Sequence, residues 1–220
     1  MNGWLSGITF PILRGPLAGR KWLLASRINF FLGTYEPEQT QAFERVIRPG
    51  DVVYDVGAHY GYYTLLSSVL AGREGKVFAF EPSPVNAARL QATLRANHST
   101  NVAVHEVALS NAEGVSRFDN QAGSGTGHLS PGGSIEVRTT TLDGLSERLP
   151  APQVIKIDCE GAEVLVLSGG ERTIRSARPA IFLSTHGEGL KKDCFHMLEA
   201  WGYSASQLHG DDFLFLVEGN

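Results

Sequence analysis

Hydrophobic residues fall along the chain in short continuous runs separated by stretches of helical spacing, the alternation of buried strands with amphipathic helices. The clearest run is Val52-Val53-Tyr54-Asp55-Val56, too short for a helix and apolar except for its one acid. Gly57, Ala58 and Gly61 punctuate the chain after it, and Tyr62, Leu65, Leu66, Val69 and Leu70 then recur as a helix would space them. Lys76 to Phe80 is a second buried run, closed by Glu81 and Pro82. Pro84 to Asn97 follows as a helix with Val85, Ala88, Leu90 and Leu94 available to its inner face. Val102 to Leu109 reads as a third strand. Val154 to Ile157 and Pro179 to Ser184 are further buried strands. Helical segments run from Ala162, past a Gly169-Gly170 break, to Ile174 and from about Lys191 to Trp201. Tyr203 to Leu208 and Phe213 to Val217 finish the chain as strands joined by the polar turn His209 to Asp212.

Two regions leave this rhythm. Gly114 to Asp119 and Ser134 to Thr139 alternate like antiparallel strands, and between them lie Gly123 to His128 and Pro131-Gly132-Gly133. A glycine-rich loop of that length is a candidate lid or substrate loop, or plain flexible chain. A short helical piece starts at Thr141 to Leu145. The other region is the beginning, Met1 to about Thr34, which is irregular. Residues 1–36 read as an N-terminal arm and 37–220 as a single domain that opens with a helix from Pro37 to about Ile47. The arm carries Arg14, Arg20, Lys21 and Arg27 with no acid before Glu36. Charges and Pro11 and Pro16 interrupt its apolar runs, so it reads as a solvated cover for the domain rather than a cleaved signal peptide.

Composition narrows the class. The chain has 220 residues, 42% of them hydrophobic and 19% charged, enough for one sizeable core. With 23 acidic and 19 basic residues the net charge is −4, which does not call for a nucleic-acid partner. No stretch approaches the ~20 apolar residues of a membrane span. Cys159 and Cys194 have no close-spaced partner and read as reduced thiols, which fits a cytoplasmic protein without membrane association.

Strand, glycine turn and helix at 52–70 form the opening of a nucleotide-binding unit. The glycines let a ligand approach the backbone, and the free N–H groups of the helix face it. Dinucleotide folds use G-x-G-x-x-G to seat a pyrophosphate, whereas the pattern here is D-x-G-x-x-x-G. An acid at Asp55 disfavours phosphate and suits a ligand carrying an amine, which points to S-adenosylmethionine. Glu81, twenty residues after Gly61 at a strand end, suits the two hydroxyls of a ribose. Glu106, with the Val107 backbone, suits an adenine amino group or is a solvent-facing acid. Asp158, Glu160 and Glu163 crowd the end of the fourth buried strand, and the fifth delivers Thr185 and His186 to the same edge. His186, Asp158 and Glu160 are the groups at this edge able to take up a proton, and so the candidate catalytic residues. The same carboxylates are hard oxygen ligands that suit Mg²⁺, though D-x-E spacing alone does not predict a metal. Glu163 reads as a helix-dipole partner or a support for Lys156.

These segments, together with GTYEPE at 33–38, TTTLDGL at 139–145 and STH at 184–186, resemble the FkbM family of S-adenosylmethionine-dependent methyltransferases. DVGA-x-x-G-x-Y-T and KID-x-EGAE in one chain are far more specific than either alone, and the likeness covers about residues 30–190. It implies a class I methyltransferase fold: an α/β three-layer sandwich whose seven-stranded, mostly parallel sheet ends in an antiparallel hairpin. It implies that Asp55, Gly57 and Gly61 surround the methionine end of the cofactor, that Glu81 holds the ribose, and that Glu106 and Val107 lie at the adenine. Glu36, His59, Thr64, Pro82 and Asp158 complete the implied cofactor set. The implied reaction is methyl transfer to a hydroxyl of a sugar or natural product. His59 stands where relatives usually carry asparagine, and Ser184 where an acid commonly precedes the histidine. Two other readings remain open at this stage, a nicotinamide oxidoreductase and a non-catalytic adenosine-ligand module.

Overall fold

The structure, a computed structural model, describes residues 9–23, 28–119, 127–130 and 132–217. Within the arm, β1 (Thr9–Pro11) and β2 (Lys21–Leu23) pair antiparallel, and α1 (Ile28–Leu32) follows. The arm is therefore not irregular. Ile12, Leu17 and Trp22 are each 1% exposed and share a core cluster with Phe43, Leu65 and Leu66, and Asn97 clamps β2 through hydrogen bonds to both the N–H and the C=O of Lys21. Burial, invisible in a sequence so short of periodicity, is what orders it.

The chain continues through α2 (Pro37–Val46), β3 (Val52–Val56), α3 (Tyr62–Ala71), β4 (Lys76–Phe80), α4 (Pro84–Ala96) and β5 (Val102–His105). Proline sits in the first turn of both α2 and α4, where no N–H is missed, and the Ser83 hydroxyl caps α4 by accepting from the Asn86 N–H. The run read as one strand to Leu109 breaks at Glu106. The Val107 N–H turns back onto the His105 carbonyl, and β6 (Ala108–Leu109) joins a different sheet. That second sheet adds β7 (Gly114–Asp119), β8 (His128–Leu129) and β9 (Ile135–Thr140) in the order β6-β9-β7-β8. After α5 (Leu142–Leu145) come β10 (Val154–Ile157), α6 (Glu163–Ser168), α7 (Glu171–Ala177), β11 (Ala180–Ser184), α8 (Glu188–Ala200), β12 (Tyr203–His209) and β13 (Asp212–Val217).

The main sheet has seven strands in the order β12-β13-β11-β10-β3-β4-β5, parallel from β11 to β5, with β13 antiparallel to β11 and to β12. This is the class I methyltransferase architecture expected above. Alternation along the strands divides the core between two faces. Tyr54, Val56, Ile155, Ile157, Ile181 and Leu183 pack with Val166, Ile174 and Leu198 of α6, α7 and α8. Val53, Val77, Val154 and Phe182 pack with Phe43 of α2, Leu65 of α3 and the arm. The connections leave β3 toward β4 on one side and reach β10 and β11 on the other. The carboxyl ends of β3 and β10 thus flank a topological switch point, where open α/β sheets bind ligands. Among the described residues, no helix is long and apolar enough to cross a membrane.

Candidate functional site

A cavity of about 560 Å³ opens at that switch point. Its size falls in the range of small-molecule sites. The turn after β3 forms its floor, and glycine is required there for two contacts within the protein. Gly57 has φ 77°, and a Cβ on it would stand 1.9 Å from the carbonyl oxygen of Asp158; Gly61 has φ 88°, and a Cβ on it would stand 2.1 Å from Leu90 Cδ1. The glycines thus bring the β3 and β10 turns together and seat α4, in addition to lining the cavity.

Asp55 is 1% exposed and does not line the cavity; neither does Thr64, 0% exposed, whose hydroxyl donates to Asp55 Oδ2 at 2.5 Å. Both therefore sit as buried residues behind the cavity lining, from where Asp55 holds Lys156. Lys156 Nζ lies 3.5 Å from Asp55 Oδ1 and 3.3 Å from Asp158 Oδ2, and donates to the Gly57 carbonyl at 3.1 Å. Burial alone would lower the Lys156 pKa, but the Asp158 and Asp55 carboxylates outweigh it and raise it, so the lysine stays charged. This lysine, inside a buried strand, ties the two motifs together. A charged residue in the run Val154 to Ile157 was the signal for it.

Glu81, 4% exposed, accepts from the His59 N–H at 2.8 Å on one oxygen, and from the Ser83 N–H at 2.9 Å and Asn86 Nδ2 at 3.3 Å on the other. Desolvation raises its pKa and these three donors oppose the rise. His59 reaches this geometry with φ 50°, its ring stacked on Tyr60, which Arg89 covers from beyond. Pro82 and Val107 line the cavity, whereas Glu106 is exposed and stands outside its lining. Glu36, in the left-handed region at φ 40°, also lines the cavity, with burial raising its pKa, and accepts from the Tyr63 hydroxyl at 2.5 Å.

The strand ends of β10 and β11 supply the other group of charges. His186 Nδ1 meets Glu163 Oε1 at 2.8 Å, while its Nε2 lies 3.4 Å from Glu160 Oε2 and 3.7 Å from Asp158 Oδ1. The Glu163 hydrogen bond is the main cause that pushes the His186 pKa up to about 9; burial opposes it, and the Asp158 and Glu160 charges add to the rise. In this state His186 is an imidazolium at neutral pH and must give up a proton before it can accept one. Burial would raise Glu163, but donation from His186 and from the Gly161 N–H lowers it instead. Glu163 therefore supports His186, not Lys156. Desolvation raises Glu160, and burial with neighbouring carboxylates pushes the Cys159 thiol well up, which keeps it from acting as a nucleophile. The ligand-type atoms of Asp158, Glu160 and His186 all lie within 4.8 Å of one another.

Several lining residues carried no signal that sequence reading used. Asp212 pairs with Ser184 across β13 and β11, accepts from its hydroxyl at 2.6 Å, and brings an acid to the place where Ser184 lacks one. In sequence it belongs to the polar turn His209 to Asp212. Trp22 and Phe30 of the arm also line the cavity, as do Phe118 and Gly127 at the edge of the glycine-rich segment. Of the proposed lid, residues 123–126 and 131 lie outside the described residues.

A sequence model of the methyltransferase FkbM domain matches residues 55–207. The hexuronic acid methyltransferase AglP of Haloferax volcanii is 34% identical over 130 residues, which cover 57% of this chain and 52% of that protein. The 31-O-demethyl-FK506 methyltransferase FkbM of Streptomyces tacrolimicus is 42% identical over 72 residues, 33% of this chain and 27% of that protein. The chain thus spans about half the length, or less, of these curated relatives. Among solved structures, methyltransferase FkbM from Methylobacillus flagellatus superposes with a TM-score of 0.59 at 19% identity, covering 80% of this chain and 50% of that one. A putative rRNA methylase from Clostridium thermocellum does so with a TM-score of 0.57 at 11% identity, covering 83% and 96%. At these identities the structural likeness concerns the fold.

Proposed function

The chain belongs to the FkbM methyltransferase family, and from that premise we propose that it is an S-adenosylmethionine-dependent O-methyltransferase acting on a hydroxyl of a sugar or natural-product small molecule. One observation carries the reading: a single cavity at the switch point joins the hydrogen-bonded carboxylate of Glu81 to the charged cluster of Asp158, Glu160 and His186. In this reading Glu81 accepts from the ribose hydroxyls with lone pairs its three protein donors leave open, and Pro82 and Val107 border the adenine. The methionine end lies over Gly57, His59 and Gly61, between Glu36 and Asp158. Glu36, Glu81, Asp158, Glu160 and Asp212 line the cavity against Lys156 as its one lysine or arginine among the described residues. That excess of negative charge favours a sulfonium and an ammonium.

In the reaction the acceptor oxygen attacks the methyl carbon in line with the carbon–sulfur bond, the sulfur keeps the bonding pair, and S-adenosylhomocysteine leaves. The hydroxyl proton passes to the Asp158–Glu160–His186 cluster. Positioning in a preorganised site supplies much of the acceleration, because the sulfonium is already a good leaving group. The hydroxylated acceptor enters between this cluster and the aromatic wall of Trp22 and Phe30.

Thermal shift with S-adenosylmethionine, S-adenosylhomocysteine, NAD and NADP tests the cofactor. The first two should raise the melting temperature and the last two should not; the reverse pattern would return the oxidoreductase reading. A mass-spectrometric screen of hydroxylated acceptors with methyl-labelled cofactor tests the reaction. Cofactor binding without transfer to any sugar or natural-product hydroxyl would reduce the protein to an adenosine-ligand module.

A further inference from the structure

We infer that Asp158, Glu160 and His186 form a binding site for one divalent first-row metal ion. The three residues come from two adjacent strand ends, and their facing atoms are one imidazole nitrogen and two carboxylate oxygens, all within 4.8 Å of one another. His186 Nε2 stands 3.4 Å from Glu160 Oε2 and 3.7 Å from Asp158 Oδ1. Ligands at ~2.0–2.2 Å from a common ion are themselves about 3.0–3.5 Å apart, so the two His186–carboxylate distances stand within a few tenths of an ångström of that spacing, and the two carboxylates, within 4.8 Å of each other, close on the ion by a side-chain rotation.

Each ligand is also aimed by a contact outside the trio. Glu163, whose side chain is fully buried, bonds His186 Nδ1 at 2.8 Å and so leaves Nε2 as the nitrogen turned to the carboxylates. A carboxylate behind a ligating imidazole is the usual outer partner of such a site. Among the described residues Glu163 Oε2 is buried with no hydrogen-bond partner, while Oε1 serves His186 and the Gly161 N–H. Lys156 engages Asp158 through Oδ2, which leaves Oδ1 directed to His186. The mixed nitrogen and oxygen set favours Mn²⁺, Fe²⁺, Co²⁺ or Zn²⁺ over Mg²⁺, which prefers all-oxygen surroundings. Three protein ligands leave positions open toward the cavity. On the proposed methyltransferase reading, those positions take the acceptor hydroxyl and acidify it, its proton passing to the Glu160 oxygen that the ion does not hold and from there to water, so that the metal refines that reading without being needed for cofactor binding.

The test uses the full chain stripped with a chelator, returned to neutral buffer and titrated with Mn²⁺ alone, the free ion being read by its paramagnetic resonance signal. Saturable binding of one Mn²⁺ per chain is expected, weakened at least about tenfold by His186→Ala and by Glu160→Gln. Glu163→Gln, which keeps an acceptor for Nδ1 but removes the charge, should weaken it by less. Melting curves with S-adenosylmethionine on the same samples show whether each variant is folded. Non-saturating binding, or binding that the His186 and Glu160 variants leave unchanged, overturns the site and makes the cluster an imidazolium held between acids. If wild-type protein binds Mn²⁺ as expected but shows no S-adenosylmethionine shift, the methyltransferase reading fails while the metal site stands.

Discussion

The two ends of the cavity handle buried acid in opposite ways. At the β4 end Glu81 is surrounded by two backbone N–H groups and a side-chain amide, and burial still leaves its pKa raised. At the β10–β11 end Asp158, Glu160 and Glu163 are met by side-chain cations, Lys156 and His186, and the outer members are about one-third exposed. Backbone donors cannot leave or change charge. A carboxylate fixed by them is a permanent hydrogen-bond acceptor, suited to hold a neutral ligand in one pose. A carboxylate fixed by an imidazole can exchange that partner for a proton or a metal ion. On the proposed reading the first end binds and the second reacts, although both are acids at strand ends and look alike in sequence.

Substitutions can break this division, and the largest expected effect is on turnover. His186→Ala should lower kcat by about 10²–10⁴-fold with the S-adenosylmethionine Kd nearly unchanged, and Asp158→Asn should lower kcat on the same scale while also weakening the cofactor whose methionine end it borders. Equal losses mean that the pair works as a unit, and two mild variants would remove the chemistry from this end. Next comes Lys156→Met, which leaves Asp55 buried beside Asp158 without its cation. We expect a loss of about 3–5 kcal/mol in chemical denaturation, the scale for breaking a buried ion pair from one side. Glu81→Ala should weaken cofactor binding by about 1–3 kcal/mol in calorimetry while sparing kcat at saturation. Unchanged binding would sink the placement of the nucleoside there.

The smallest effect is one of pH. His186 is raised from 6.5 to about 9 in the fold, so its protonated form favours folding. In chelator-treated protein that contribution is complete below about pH 6.5 and is lost as pH rises through about 9. Wild-type stability should therefore fall more steeply than that of His186→Gln across this window. Parallel curves for the two would mean that the Glu163 contact does not hold the proton.

The strands of the central sheet were legible because their apolar runs are continuous and glycine, proline or acid closes each one. Lys76–Phe80 and Val154–Ile157 were read to the residue. The pattern could not say which sheet a strand joins, so the run beginning at Val102 concealed the break at Glu106 and the departure of β6. Nor does a motif say which way a side chain points. Asp55 lies in the most specific motif of the chain, yet its carboxylate is spent on Lys156 and Thr64. Asp212 reaches the cavity through antiparallel pairing with Ser184, a contact 28 residues distant that local pattern cannot register. The arm was misread as irregular because its order comes from Trp22 and Asn97, again a tertiary cause.

The cavity's scattered origin also governs when it can exist during folding. Its walls include Trp22 near the start and Asp212 near the end of the chain, and its floor depends on β3 pairing with β10, Val53 beside Val154. Parallel pairing over such a separation closes a long loop before any contact rewards it, so it belongs to the slow, late part of assembly. On that ground the cavity is expected to form only once the central pairing is made. Once complete, occupancy acts on the whole molecule: a ligand at one hundred times its Kd adds about 2.7 kcal/mol against unfolding. On the proposed reading, cofactor supply therefore bears on the resistance of the whole chain to unfolding.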